Sequence, residues 1–390
     1  MLTVAQVGLR GFGQVHLDRI DRLAQLGRVR LVACADPAGP VAGRDQPWFE
    51  SLPDLLSQHR VDIVSIATPI GTHMDLARTS LAAGAHVMLE KPPVASLDEF
   101  WELVGFAEAH GRNVQVGFQS LGGAGVARLQ ELAATTLGAI ESVRVWGMWQ
   151  RNLAYFQRAR WAGHRTLDGR RVADGVCTNA LAHAIATACR IVGLTRIEDL
   201  TSIETELYHG FDTESDDTSW LRLHHRLGRP IDVSLTLCGP REEDPTVTLV
   251  GEHGWAELAY TADKVTWQTT GGVHTEQLGR VDLLENLVDH IEAGVPLLVP
   301  LDATVGFMAV LEATQVAPAP VAIPATYLTW TGDGDLAHPV PDGIEAWQHH
   351  CLATGQGYVS AGVPWASPAA CAVWTPGTTP HADGEPVLKT

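Results

Sequence analysis

The first 120 residues alternate short apolar runs with amphipathic segments, and the first junction between them reads TVAQVGLRGFG (3–13). This alternation constrains the fold more than any other feature. Strands joined by helical crossovers pair in parallel, and a parallel sheet is covered on both faces, so its strands read as nearly continuous apolar runs. The expected strands are 3–8, VRLVACAD (29–36), VDIVSIAT (61–68), AHVMLE (85–90) and NVQVGF (113–118). The segments between them carry helical periodicity at 16–27, 52–59, 72–84 and 96–111. Gly84 is placed to end the third helix, and Ser96 with Glu99 three residues on forms a capping box for the fourth.

The turn after the first strand is a candidate phosphate loop. Gly8 and Gly13 occupy the outer positions of a G-x-G-x-x-G fingerprint, where glycine allows a tight turn and lets helix N-terminal amides approach a pyrophosphate. Arg10 stands at the middle position, beside Gly11 and Phe12; either the backbone is slightly displaced there or Arg10 itself faces the phosphate or the adenine. Asp36 ends the second strand, where a carboxylate accepts from ribose hydroxyls and repels a 2′-phosphate, so NAD is favoured over NADP. Ligands of such sheets bind outside the carboxyl ends of the strands, which brings Thr68, Pro69 and His73 to the border of the same crevice. The class expected is therefore α/β, with a Rossmann dinucleotide-binding domain over 1–120.

By the same rule, the strand ending VMLEKPP (87–93) delivers Glu90 and Lys91 to the crevice, with Pro92 and Pro93 restricting the turn. A lysine at a strand end is usually just solvated. Beside a nicotinamide, an ammonium group has a use: it polarises a hydroxyl oxygen and relays its proton.

VGLRGFG, IATPIGTH (66–73) and above all EKPP together resemble the Gfo/Idh/MocA oxidoreductases, over about residues 1–315. The resemblance implies a C-terminal α+β domain whose open sheet often forms a dimer interface. It also implies NAD(P)-dependent oxidation or reduction of sugars or cyclic polyols, with Lys91 on the reacting hydroxyl and a cis Lys91–Pro92 peptide. Family members often carry Asp-x-x-x-His at the start of a helix in the second domain. VCTNALAHAIAT (176–187) matches it with His183 as proton acceptor, but Asn179 stands in place of the acid. Asn179 orients substrate on this reading, yet supplies no negative charge to stabilise an imidazolium. Four residues apart on one helix, the two side chains would share a face.

Beyond residue 120 the pattern changes to longer alternating strands, expected at 140–152, 219–225, 230–238, 246–251, 254–260 and 264–270, with helices at 123–136, 179–193, 282–294 and 302–315. This describes an α+β domain over 121–316 around a large, mainly antiparallel open sheet. The loop RWAGHRTLDGRRVADG (160–175) offers Trp161 and Arg165 as substrate-binding candidates, while Tyr155 reads as packing. Residues 317–390 are rich in Pro, Gly and Trp and are expected to pack on the surface or on a partner subunit.

A net charge of −18 argues against nucleic-acid or anionic-membrane partners, and no apolar run approaches the ~18 residues of a membrane span. The N-terminus runs straight into the first strand without the segments of a secretory leader, and the six scattered cysteines read as free thiols. A cytoplasmic homodimer or homotetramer without a metal is expected. HHC (349–351) has no second ligand cluster to make a zinc site. Three functions remain open. The leading one is an NAD-dependent sugar or polyol dehydrogenase. The second is a glycoside hydrolase or lyase that oxidises and re-reduces its substrate on retained NAD. The third is a non-catalytic NAD-binding sensor.

Overall fold

A computed structural model describes residues 1–377. The chain divides into two compact units, residues 1–122 with 281–304, and residues 123–280 with 305 onward.

The first unit is built on six parallel strands: β1 (Leu2–Val7), β2 (Val29–Ala35), β3 (Trp48–Phe49), β4 (Ile63–Ile66), β5 (His86–Leu89) and β6 (Val114–Val116). Their order across the sheet is β3-β2-β1-β4-β5-β6, so the chain reverses direction between β1 and β4 and opens a crevice at their carboxyl ends. All four residues of β4 are buried, as a strand covered on both faces requires. The helices follow the expected periodicity, over Phe12–Gln25, Leu52–Gln58, His73–Ala82 and Leu97–His110. Ser96 Oγ accepts from Glu99 N at 3.2 Å, and Glu99 returns a carboxylate oxygen to Ala95 N at 3.0 Å.

The expected boundary at residue 120 is incomplete. Residues 281–304, assigned from sequence to the second domain, cluster with the first unit. The physical reason is Gln115, fully buried in β6 with no partner in its own sheet for its side chain. Its amide donates to Asn286 Oδ1 at 2.6 Å and Leu283 O at 3.1 Å, and its oxygen accepts from Val299 N at 2.9 Å. The helix Leu283–Ala293 is further tied down by ion pairs from Arg19, Arg22 and Arg28.

The second unit centres on β7 (Ile140–Met148). A small hairpin of β8 (Thr166–Leu167) and β9 (Arg170–Arg171) stands apart from the main sheet. The main sheet continues with β10 (Leu200–His209), β11 (Thr218–His225), β12 (Ile231–Thr236), β13 (Thr246–Gly251), β14 (Gly254–Ala259), β15 (Lys264–Thr269) and β16 (Gly272–Gln277). Its order is β16-β15-β14-β13-β7-β12-β11-β10-β17, with β17 at Val321–Ala322, and it is antiparallel except where β7 meets β12 and β10 meets β17. The helices Gly125–Thr135, Ala182–Val192 and Val305–Val316 pack on one face. Alternation along β7 decides the rest. Gly147 faces Leu181 on the helical side, while Trp146 donates to Gln348 Oε1 at 3.2 Å on the other.

That other face is where the tail goes. Four short strands, β17 (Val321–Ala322), β18 (Leu328–Thr331), β19 (His338–Pro341) and β20 (Cys371–Trp374), accompany the helix Ile344–Thr354, which packs on β7 and β12. Residues 317–377 therefore cover the chain's own sheet, and β20 pairs with β10 along its edge. Tyr208, Trp220, Tyr358 and Trp365 form a buried aromatic cluster there. The remainder of the expected tail, 378–390, lies outside the described residues. The HHC motif is absorbed by this packing: His349 stacks on Trp146 and Cys351 is buried.

Candidate functional site

In the first unit, the loop between β1 and the helix Phe12–Gln25 is shaped by two glycines. A Cβ on Gly13 would lie 2.2 Å from Gly8 O, so only glycine lets the helix start this close to the strand. Gly11, at φ 57°, precedes the helix without a side-chain cap, and a Cβ there would meet no protein atom within 4 Å. The helix N-terminus thus opens onto space that an anionic group can enter, with Phe12 46 % exposed beside it.

Asp36 closes the far end of this loop. Its Oδ2 accepts from Leu9 N at 2.9 Å and forms an ion pair with the Arg10 guanidinium at 3.0 Å, and Oδ1 accepts from Ala38 N at 2.8 Å. A carboxylate offers about four acceptor sites, so capacity remains for a hydroxyl. Arg10 also donates to Ala38 O and Gly39 O, which fixes it over the 36–39 turn beside Asp36.

Thr68 and Pro69 lie where β4 ends, and Thr68 Oγ1 hydrogen-bonds Thr72 Oγ1 at 2.7 Å. His73 corrects the sequence reading. It is 1 % exposed, and its ring nitrogens lie 2.8 Å from Thr68 O and 2.8 Å from Pro92 O. It clips two strand-end loops together and has no ring edge left to border a ligand. Burial lowers its pKa, against the opposing pull of the two carbonyls and Glu90. A neutral ring donates to only one of those carbonyls, so the second contact is a close approach without a proton between.

Glu90 is likewise turned inward, at 7 % exposure. Its Oε1 meets His16 Nε2 at 2.8 Å and Gln119 Nε2 at 3.0 Å, while Oε2 accepts from Lys91 N at 3.1 Å. Burial alone would raise its pKa. The hydrogen bond and charge of His16, with the Lys91 ammonium and amide, outweigh burial and hold it below the usual carboxylate range. The Lys91–Pro92 peptide is cis. The result is a fixed Lys91 backbone at the carboxyl end of β5. His16 was missed from sequence, although its place on the buried stripe with Gly13, Leu17 and Ile20 was a readable signal.

In the second unit, the expected helix 179–193 starts later. Val176–Ala180 forms a widened, π-type turn with Leu181 N bonded to Val176 O, and the regular helix begins at Ala182. Asn179 and His183 therefore do not belong to one continuous α-helix. The turn is held by the buried Asp216, which accepts from Cys177 N at 3.4 Å and Ser219 Oγ at 2.8 Å. His183 lies beside Tyr260, with ring centroids 6.4 Å apart.

The acid next to Asn179 is Asp174, 5 % exposed, which accepts from the Asn179 amide. Arg158 donates to both Asp174 oxygens at 2.8 and 3.0 Å, and Gly163 N donates to Oδ2 at 2.7 Å. Burial pushes the Asp174 pKa up, opposed by Arg158, Asn179 and the Gly163 amide. The Arg158 guanidinium also lies over the rings of Tyr155 (3.7 Å) and Trp161 (4.6 Å), so Trp161 joins this cluster.

Arg165 does not. Its guanidinium donates to the carbonyls of Thr314, Gln315, Ala317 and Pro318, where the helix Val305–Val316 ends. A cation there meets the orphan carbonyls and the negative end of the helix dipole, so Arg165 caps this helix.

Residues 2–118 match the family model for Gfo/Idh/MocA, described as an oxidoreductase family with an NAD-binding Rossmann fold. The Rossmann unit belongs to the Gfo/Idh/MocA oxidoreductases. Among curated relatives, a glycosyl hydrolase family 109 protein of Shewanella sp. (strain ANA-3) is 32 % identical over 123 residues, covering 28 % of this chain and 27 % of the relative. The rhizopine catabolism protein MocA of Rhizobium meliloti is 29 % identical over 121 residues, covering 30 % of this chain and 38 % of that protein. The match thus spans well under half the length of these relatives.

The fold of the whole chain is shared more widely. The WlbA dehydrogenase of Bordetella pertussis, solved with NADH and UDP-GlcNAcA, superposes with a TM-score of 0.66 at 21 % identity over 80 % of this chain and 94 % of its own. An NAD-binding oxidoreductase of Klebsiella pneumoniae gives 0.69 at 18 % identity over 81 % and 97 %. The open helix N-terminus at Gly11 and the spare acceptor capacity of Asp36 fit the dinucleotide that the family binds.

Proposed function

We propose that this protein is an NAD-dependent oxidoreductase that moves a hydride between the nicotinamide and a hydroxyl-bearing carbon of a sugar, sugar derivative or cyclic polyol. The observation that carries the reading is the buried clamp of His16, Glu90 and Gln119, which fixes the turn of Lys91 at the carboxyl end of β5 in a Rossmann sheet. NAD, when bound, supplies the hydride acceptor or donor. Asp36 favours it over NADP, because the carboxylate binds ribose hydroxyls and repels a 2′-phosphate.

On this reading Lys91 polarises the substrate hydroxyl through its ammonium group, which lowers the cost of removing the proton. His183 accepts that proton, Asn179 orients the substrate through its amide, and Trp161 offers an aromatic face to a sugar ring. Thr68, Pro69, Phe12 and Arg10 line the cofactor side. The free thiols, five of six buried, accord with a reducing cytoplasm. Any assembly of subunits through the large sheet would use β14–β16, because the tail covers β7 and β12.

The test is Lys91→Ala. NAD binding measured by calorimetry is retained while turnover is lost across a panel of sugars and polyols; full activity in the variant sinks the assignment. The family 109 relatives favour one alternative, a glycoside hydrolase that retains NAD. Release of the aryl group from an aryl glycoside without net NADH selects that alternative.

A further inference from the structure

A polar cleft of about 480 Å³ opens in the second unit where β7 runs out, between its last residues and the tail hairpin of β18 and β19. That volume is in the range of small-molecule sites. One wall is set by Trp149 N and Arg151 N, which donate at 2.9 Å to Thr236 O and Leu237 O beyond the end of β12. The other wall is joined to it through His338, 6 % exposed, whose Nε2 lies 2.6 Å from the Gln150 amide nitrogen and 2.8 Å from Thr331 Oγ1. Leu153 N donates to Ala337 O at 3.1 Å, which ties the hairpin to the short helix Leu153–Gln157. The lining has no charge to spare. The Arg151 guanidinium is paired with Glu242 and donates to Gln150 O at 2.9 Å, so an anionic group would have to displace Glu242. Two amides each keep one end without a protein partner among the described residues. Asn152 Oδ1 accepts from Tyr155 N at 3.1 Å, which leaves its NH₂ as a donor; Gln150 turns its NH₂ to His338, which leaves its oxygen as an acceptor. A hydroxyl both donates and accepts, so a ring of neighbouring hydroxyls answers both ends. Leu336, 66 % exposed, gives the rim an apolar edge for the C–H face of such a ring.

We infer that this cleft is a subsite for a second, neutral pyranose ring, so that the substrate is a glycoside or disaccharide rather than a lone monosaccharide. Tyr155 connects the cleft to the residues already given to substrate. The Arg151 guanidinium lies 5.2 Å from the Tyr155 ring centroid, and that of Arg158 lies 3.7 Å from the same centroid. Arg158 in turn lies over Trp161 and holds Asp174. One aromatic side chain and its two guanidinium neighbours thus separate the cleft from Trp161, which the proposed function gives to a sugar ring. The identity of the reacting ring rests on that reading, whereas the binding of a neutral ring in the cleft does not.

The experiment is calorimetry on the full chain with NADH present, comparing glucose and galactose with maltose, cellobiose, gentiobiose and lactose. At least one disaccharide is expected to bind roughly tenfold tighter than either monosaccharide, a gain that two net hydrogen bonds supply. Asn152→Asp keeps the oxygen that caps the helix Leu153–Gln157 and removes the NH₂. Thr331→Val keeps the shape of the side chain and removes the hydroxyl at the cleft wall. In each variant the ratio of disaccharide to monosaccharide affinity falls toward one. Disaccharides that bind no tighter than monosaccharides overturn the inference, as does a ratio that neither variant lowers, or a protein that binds none of these sugars. Hydride transfer, followed by NADH absorbance, separates this inference from the proposed function. Selective disaccharide binding without hydride transfer to or from any of the sugars overturns the proposed function and leaves the subsite standing. Oxidation of monosaccharides and disaccharides with equal KM overturns the subsite and leaves the proposed function.

Discussion

His16 Nε2 lies 2.8 Å from Glu90 Oε1, and the same ring reaches Ser65 Oγ through Nδ1 at 2.8 Å. One imidazole thus joins the first helix, β4 and the end of β5 beneath the crevice. The ring is 1 % exposed, so this is a buried interaction that solvent does not screen.

Replacing His16 with Leu leaves Glu90 buried without its main partner. Breaking a buried pair from one side costs about 3–5 kcal/mol, more than the apolar burial gained. Glu90 has a lowered folded pKa, so its contribution is present above the unfolded value near ~4.3 and is lost as pH falls through the folded value. The destabilisation of His16→Leu is therefore expected to be largest above about pH 5 and to shrink toward pH 3. Urea unfolding at a series of pH values checks it; a penalty independent of pH would count against a charged Glu90.

Asp36→Ser is expected to weaken NAD binding by roughly tenfold or more, the loss of a hydrogen bond to a charged group, while NADP binding weakens less or improves. Titration of both dinucleotides by calorimetry separates the two. Equal losses for both would show that Asp36 acts only through its bonds to Leu9 and Ala38.

One buried and one half-buried histidine give the first unit an acid-side weakness. Burial lowers His73, and burial with Arg112 and His290 pushes His86 down to about 4. Both are neutral in the fold and take up protons when unfolded, so stability is full above the unfolded value near ~6.5 and declines as pH falls below it. His73→Gln, which keeps one amide donor, is expected to flatten that decline between about pH 6.5 and 5 while lowering stability at pH 8. Thermal melts over this range measure the slope, and a slope unchanged in the variant would remove His73 from the account.

Arg165→Ala is expected to cost about 1–2 kcal/mol of stability through the lost cap on the helix Val305–Val316. With any substrate that turns over, KM should stay within about twofold of wild type, well under the tenfold that 1.4 kcal/mol of lost binding energy would give. Denaturant unfolding and steady-state kinetics together decide it; a large rise in KM with unchanged stability would return Arg165 to the substrate side.

The first sheet was readable because strands buried on both faces leave continuous apolar runs, as VDIVSIAT shows around β4. β10 was not read, because Glu204 and Glu206 interrupt its apolar pattern. Their partners explain why they are tolerated: Glu204 meets His224 across the strand pair, and Glu206 accepts from Tyr208 and from Val359 in the tail. The backbone partners of Arg165 and His73 were not legible for a related reason. Both look like ligand-binding side chains, and both spend their donors on backbone carbonyls that lie near them only in the folded chain. Lys91 and the loop at Gly8–Gly13 were legible because strand ends have a fixed meaning in a parallel sheet. Asp174 was visible only as one polar residue among several in an irregular loop.

The tail has a practical consequence for anyone shortening the gene. Trp146, Tyr208 and Trp220 are shielded by residues near 347–365, and Tyr358 is pinned by Ser234 at 2.7 Å. A recombinant product stopped at 316 would keep every residue that the proposed function assigns to the cofactor and substrate, yet bare a greasy slab across β7, β11 and β12. Such a slab clumps in solution. An inactive, precipitating short form would then report on solubility and carry no information about chemistry.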